Sequence, residues 1–125
     1  MTTIKALPDS VNASLVHGVT EFYKQVYLLS GKIDKRNKFG IWLKTENSCL
    51  EILHLTIKAS FTSRQNKMVL LDSSRTEIEF LKRLFTIVCE LEIIQPKNYL
   101  KLESDLQEIS KMTNGWIKYL TQKER

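Results

Sequence analysis

The sequence reads YLKLESDLQEISKMTNGWIKYL from Tyr99 to Leu120, and this stretch determines the predicted architecture. Apolar or small residues recur along it at alternating steps of three and four. They are Tyr99, Leu102, Leu106, Ile109, Thr113, Trp116 and Leu120. That alternation places one apolar stripe along one side of a helix. Because such a stripe must be covered, we expect the rest of the chain to supply helices that pack against it.

The end of this stretch holds an unusual pair, Gly115-Trp116. A glycine inside a helix costs about 1 kcal/mol relative to alanine, so its presence requires a reason. We predict that Gly115 allows another helix to approach closely. We predict that Trp116 fills the end of the bundle or a contact between subunits.

Apolar residues at helical steps also occur in the other parts of the chain and predict three further helices. The four helices should span about residues 10–33, 35–61, 67–94 and 96–121. Residues 1–9 are predicted to be a frayed lead-in, with Asp9 or Ser10 capping the first helix. Asp34 can cap the second helix, and Pro96 suits the first position of the fourth.

The third helix has two possible starts. Ser74 and Glu77 match the S-x-x-E capping box, which would begin the helix at Ser74. An apolar stripe nevertheless continues through this point from Met68 to Val88. We therefore favour one long helix in which Ser74 is a small residue on the buried face.

Length and composition favour few, long elements. The chain has 125 residues, enough for a single domain, and contains only 4 glycines and 2 prolines. No alternating strand pattern extends beyond about four residues. The predicted fold is all-α, an antiparallel up-down-up-down four-helix bundle forming one domain over residues 1–125, since short links make successive helices antiparallel neighbours.

Cysteine use and hydropathy indicate a cellular compartment. Cys49 and Cys89 lie in apolar runs, and we expect free thiols in a reducing environment, although one disulfide is possible. The N-terminus lacks the apolar core of a signal peptide, and no window is apolar enough for a membrane span. The sequence therefore predicts a cytoplasmic protein without membrane contact.

Residue patterns for catalysis are sparse. Glu51 and His54 form one E-x-x-H pair, whereas a di-iron bundle needs two such pairs facing inward. No glycine-rich phosphate loop or zinc spacing is present. We predict a protein that is not an enzyme and has no catalytic residues, cofactor or metal. The alternative, a metal enzyme built on Glu51 and His54, predicts bound iron or zinc.

The net charge of +5, from 19 Lys and Arg against 14 Asp and Glu, favours a polyanionic partner. Clustered cations can bind phosphates without reading sequence. The candidate nucleic-acid- or partner-binding residues are Lys32, Lys35, Arg36, Lys38, Arg64, Lys67, Arg75, Lys82 and Arg83. In an up-down bundle the first and second links lie at opposite ends, so these residues should not form one patch in a monomer. The alternative is that the charges only confer solubility.

Several segments resemble the Avd-like family, the accessory variability determinants of diversity-generating retroelements. The resemblance covers roughly residues 17–120. Its segments are 70–72, 77–84, 89–91, Ile94, Tyr99, Ile109 and 114–118, together with the basic link 33–39. That link resembles the family's usual Pro-Lys-x-x-(Arg/Lys)-Phe run, with Asp34 where proline is commoner. The related bundle proteins of ribosomal RNA intervening sequences usually carry a Ser-x-x-x-Asn-Ile-Ala-Glu-Gly run, which residues 50–57 lack.

The resemblance implies a non-catalytic accessory protein that binds a reverse transcriptase and its template RNA and supports mutagenic reverse transcription. It also implies a homopentameric ring with a basic surface. RNA is the expected nucleic-acid partner, and DNA is a further candidate. Apolar residues that cover more than one stripe of the second and third helices are compatible with packing between copies. The alternative is a four-helix protein-interaction module, similar to the intervening-sequence proteins, with no nucleic-acid role.

Overall fold

The computed structural model describes the backbone of residues 2–123 and the side chains of residues 13–122. Four long helices are joined by short links: α1 (Thr2–Leu29), α3 (Ile41–Ser60), α4 (Arg64–Glu90) and α5 (Pro96–Lys123). A 3-10 turn (Ser30–Lys32) and the single-turn helix α2 (Lys35–Lys38) connect α1 to α3. No strand occurs within residues 2–123. The predicted all-α four-helix bundle is confirmed.

The long helices pack in the cyclic order α1, α3, α4, α5, each against its two neighbours. The Ser48 hydroxyl donates to Glu77 Oε2 at 2.7 Å, which joins the middle of α3 to that of α4. Arg64, at the start of α4, donates to the carbonyl oxygen of Leu120, near the end of α5. One end of the bundle therefore holds residues 30–40 and 91–95, and we call it the link end. The opposite end holds residues 61–63 and the last turn of α5, and we call it the far end.

The core combines large buried aromatic rings with aliphatic side chains. Trp42, Trp116 and Phe85 are at most 1% exposed, and Phe22 meets Phe85 edge-on with ring centroids 5.9 Å apart. The predicted stripe of α5 is buried from Leu102 to Leu120, with Tyr99 half-buried at its start. Burial of this stripe between α4 and α1 supplies the hydrophobic stabilisation that holds the fourth helix in place.

Several helix boundaries differ from the predicted ones. Helix α1 begins at Thr2 rather than near residue 10, so Asp9 and Ser10 lie within it and no lead-in precedes them over residues 2–9. The predicted second helix is interrupted at Phe39 and Gly40. A Cβ at position 40 would lie 3.0 Å from the carbonyl oxygen of Arg36, so this corner is too tight for a side chain without adjustment. Local capping signals are weak compared with packing and backbone hydrogen bonding, and they do not fix these boundaries.

Other local predictions are confirmed. Asp34 is the N-cap of α2, with its carboxylate accepting from the backbone N–H of Asn37. Pro96 is the first residue of α5, and Ser74 is fully buried in the middle of α4. The S-x-x-E match at Ser74 therefore does not start a helix, because the apolar stripe on both sides of it is covered by α3 and α5.

Helix α4 ends at Glu90 rather than at residue 94. The Glu92 N–H donates to the Cys89 carbonyl at 3.0 Å, and the Ile93 N–H donates to the Val88 carbonyl at 2.8 Å. This is a Schellman motif, whose left-handed position is usually glycine. Here Glu92 occupies it with φ of 59°, the one non-glycine residue within 2–123 that has a positive φ. A side chain in this conformation is strained by contact of its Cβ with the backbone.

We expect Glu92→Gly to raise the free energy of unfolding by about 1 kcal/mol, because glycine removes the steric cost of the left-handed conformation. Chemical denaturation followed by circular dichroism measures the change. Glu90→Gly is the matched control. It places glycine in the last turn of α4, where it is expected to destabilise the protein. Equal effects of the two substitutions would contradict this explanation of the helix end.

Candidate nucleic-acid interface

The nine candidate cations separate into three groups according to what their side chains contact. Four lie at the link end, two lie at the far end, and three lie along α4. As expected for an up-down bundle, the two links do not form one patch in a single chain. Their contacts distinguish cations that face solvent from cations that stabilise the fold.

The link-end cations are the most available. Lys32, Lys35 and Arg36 are exposed, and among the described residues no carboxylate lies within ion-pair distance of them. Lys38 is half-buried, and its Nζ lies 5.8 Å from the ring centroid of Phe39. Four cations within seven residues of chain, with Asp34 engaged as a helix cap, create a positive potential at this end.

The start of α5 adds cations that the sequence argument missed. Lys97 is exposed, and Lys101 lines a cleft of about 270 Å³ together with Lys32, Asn98 and Gln25. Lys101 also pairs with Asp105 at 3.2 Å, which partly offsets its charge. The predicted topology places Lys97 and Lys101 at the link end, because the start of the fourth long helix of an up-down bundle lies at the same end as the first link. These two lysines were missed because charges were grouped by their proximity in sequence.

The far-end cations support the fold. The guanidinium of Arg64 donates to the carbonyl oxygen of Leu120, one of the C-terminal carbonyls of α5. The Nζ of Lys67 lies 5.5 Å from the ring centroid of Trp116, a cation–π contact. These two side chains from α4 therefore hold the last turns of α5 against the bundle.

Two of the three remaining cations are paired with acids on the same helix. Arg75 lies 2.6 Å from Asp72, and Lys82 lies 3.1 Å from Glu79. Arg83 is exposed. Exposed pairs at this spacing contribute little to stability, but the negative charge of each acid offsets the attraction of its cation for a phosphate. The middle of α4 is therefore a weaker anion-binding surface than the link end.

The two parts of the Gly115-Trp116 prediction have different outcomes. Trp116 is 1% exposed and fills the far end of the core, as predicted. Gly115 is exposed, and a Cβ built on it would meet nothing within 4 Å. The predicted close approach of another helix within the chain is therefore wrong, because Gly115 lies on the outer side of α5. Its role in a contact between subunits stays a prediction.

The described residues contain no assembled site for the alternative function, a metal enzyme built on Glu51 and His54. Glu51 and His54 are exposed on α3, and no group of three metal-binding side chains occurs in the part of the chain searched. Both cysteines are free thiols, which agrees with the sequence-based expectation. Burial raises the pKa of the Cys49 thiol above its ordinary value, so this thiol stays protonated and poorly nucleophilic.

A second surface feature is an apolar face where α1 and α3 meet on the outside of the bundle. Leu43, Leu50 and Ile57 follow one another at intervals of seven residues and are 42%, 39% and 38% exposed. Tyr23 and Tyr27 of α1 pack together nearby, with ring centroids 6.2 Å apart. We call the surface formed by these five side chains the outer apolar face. An exposed apolar stripe of this length is typical of a surface that contacts another molecule.

One carboxylate lies beside this face. Glu46 is half-buried on α3, and burial raises its pKa, an effect that Lys38 partly opposes. Its charge in turn contributes to raising the pKa of Tyr23, whose main cause is burial of the phenol. A face with one partly desolvated carboxylate is suited to contact with protein rather than with phosphate.

The helices and the charge distribution define the class of this protein. It is a small four-helix bundle with a cationic link end and an outer apolar face, and no helix described here has the length and apolar character needed to cross a bilayer. A protein-family model described as bAvd-like matches residues 15–120. The chain belongs to the bAvd-like family, and the family identified from its sequence segments is confirmed. No curated protein matches the chain.

Proposed function

We propose that this protein is the non-catalytic accessory subunit of a diversity-generating retroelement, and that it binds the reverse transcriptase and the template RNA. Membership of the bAvd-like family carries this proposal. The cationic link end supports it, because positive side chains without acidic partners provide the electrostatic attraction on which RNA binding depends. In this role the protein supports mutagenic complementary-DNA synthesis through contacts alone.

We assign the phosphate contacts to Lys32, Lys35, Arg36 and Lys38. Four other candidates are less suitable, since Arg64 and Lys67 brace α5 and the charges of Arg75 and Lys82 are offset by acids. Arg83 is exposed on α4, outside the link-end cluster. Contacts of this kind fix the position of RNA without reading its sequence. DNA would be held by the same cations, so the link end does not by itself distinguish the two nucleic acids.

We further propose that the protein forms a homopentameric ring through the outer apolar face. The seven-residue spacing of Leu43, Leu50 and Ile57 matches the spacing by which one helix packs along another. A second copy of the chain presents suitable helices to cover this stripe. A ring of five would bring five link ends together, and their combined positive field would exceed that of one chain with a net charge of +5.

The salt dependence of RNA binding tests the phosphate assignment. Removing two phosphate contacts by Lys35→Gln with Arg36→Gln is expected to weaken single-stranded RNA binding. It should also lower the slope of log affinity against log salt by roughly 1.4, at about 0.7 per contact. Fluorescence anisotropy over a range of salt concentrations measures both quantities.

The matched control is Arg75→Gln with Lys82→Gln, which removes the same formal charge from α4, where both cations are paired with acids. It should leave the slope nearly unchanged. A wild-type protein that does not bind RNA at low salt would contradict the proposal. Binding of a protein partner with no salt-dependent RNA binding would instead support the alternative of a four-helix interaction module, which the outer apolar face favours.

A further inference from the structure

Phe39 is an exposed aromatic side chain that lies within the link-end cations. It is 62% exposed at the corner between α2 and α3, while the larger rings of the chain, Trp42 and Trp116, are buried. Three of the four residues before it, Lys35, Arg36 and Lys38, are cations, and the Nζ of Lys38 lies 5.8 Å from its ring centroid. Packing within the chain does not explain an aromatic side chain held in solvent among positive charges.

The corner that presents Phe39 is well defined. Asp34 caps α2, with its Oδ1 accepting from the side-chain amide of Asn37 at 2.7 Å. The Phe39 N–H donates to the Lys35 carbonyl at 3.1 Å, and the Gly40 N–H donates to the Asn37 carbonyl at 3.2 Å. These hydrogen bonds fix the backbone on both sides of the ring. The side chain is therefore displayed at a set position beside Lys38, as a binding platform requires.

We propose that Phe39 is a stacking platform for an unpaired base of RNA, with the adjacent link-end cations contacting the phosphates on either side. Aromatic side chains beside a cationic track bind single strands, because every base has a flat face on which to stack. The inference rests on the proposed function and makes it more specific. It assigns single-stranded rather than double-helical RNA to the link end, since bases within a duplex already stack on each other.

Comparison of a short unstructured RNA with a duplex of the same sequence tests this assignment. Phe39→Ala is expected to weaken single-strand binding about tenfold, the effect of losing one stacked base. The salt slope should stay unchanged because no phosphate contact is removed. Binding of the duplex should change little. Phe39→Leu should lose affinity in the same way, since it retains apolar bulk without an aromatic face.

Phe80→Ala is the matched control. Phe80 is a partly exposed aromatic residue on α4 that directly follows Glu79 in the sequence, and its removal should not affect RNA affinity. Phe39→Trp should retain affinity and report the contact directly. Because Trp42 and Trp116 are buried, the new indole is the exposed one, and single-stranded RNA should quench its fluorescence.

The outcomes separate the two proposals. If the wild type binds single-stranded RNA and Phe39→Ala binds it equally well, the stacking role is wrong and the proposed function stands. If Phe39→Ala retains RNA affinity but loses the reverse transcriptase, Phe39 is a protein contact and the stacking role is again wrong. If the wild type binds neither the single-stranded RNA nor the duplex at low salt, the proposed function itself is wrong. Circular dichroism of each variant confirms that the helices are intact.

Discussion

Trp116→Ala is expected to lower the free energy of unfolding by about 3–5 kcal/mol, the usual cost of removing a large aromatic side chain from a core. Trp116 is 1% exposed and is among the largest fully buried side chains. The substitution also removes the ring over which Lys67 lies at 5.5 Å, and so weakens the attachment of the last turns of α5 to α4. Urea denaturation followed by circular dichroism at 222 nm measures the loss.

Gly115→Ala is the control for this prediction. It changes the neighbouring residue on the exposed side of α5, where an added Cβ meets nothing within 4 Å. Within one chain we expect the free energy of unfolding to rise by roughly 0.5–1 kcal/mol, because alanine is a better helix former than glycine. If Trp116→Ala is too unstable to purify, Trp116→Phe should show a smaller loss. A loss below about 1 kcal/mol for Trp116→Ala would contradict its role as the anchor of the far end.

The combined substitution Leu50→Glu and Ile57→Glu is expected to convert the proposed ring into monomers. Each replaces a partly exposed apolar side chain at the centre of the outer apolar face with a charge. Since less than half of each side chain is exposed, its burial in a contact contributes about 1 kcal/mol, and desolvating the introduced carboxylate costs at least about 1 kcal/mol more. Two replacements in one contact should therefore weaken association by at least about 3 kcal/mol, or roughly a hundredfold. Light scattering at fixed concentration gives the mass of each variant.

Val69→Glu with Leu100→Glu is the matched control. Both residues are more exposed than Leu50 and Ile57, at 65% and 62%, and they lie on α4 and α5 rather than on the outer apolar face. The two control substitutions should leave the mass of the assembly unchanged. If these controls dissociate the assembly while Leu50→Glu with Ile57→Glu does not, the contact lies on the α4–α5 side. A wild type that is monomeric at high concentration would contradict the ring itself.

The fold could be predicted from the sequence because the apolar residues that specify it recur at helical intervals. The stripe from Leu102 to Leu120 repeats often enough to identify a buried helix face, and Pro96 marks the start of that helix with a local signal. The start of α1 and the end of α4 depend on backbone geometry that periodicity does not encode. The apolar stripe of α4 continues toward Ile94, whereas the chain leaves the helix at the left-handed Glu92.

The candidate site could be predicted only in part, because contacts decide which cations are available. The cluster from Lys32 to Lys38 is contiguous in sequence and was found. Nothing local indicates that Lys67 lies over Trp116, whose position in the chain is distant. The same limitation explains the error at Gly115, because a glycine in a helix does not by itself indicate which side it faces, and Gly115 faces outward.

The most direct test of the proposed function measures complementary-DNA synthesis by the reverse transcriptase of the proposed retroelement, on its template RNA, with and without the protein. We predict that synthesis requires the wild-type protein. Lys35→Gln with Arg36→Gln should reduce synthesis, whereas Arg75→Gln with Lys82→Gln should support it normally. Equal synthesis with and without the protein, in reactions where the transcriptase alone is fully active, would contradict the accessory function.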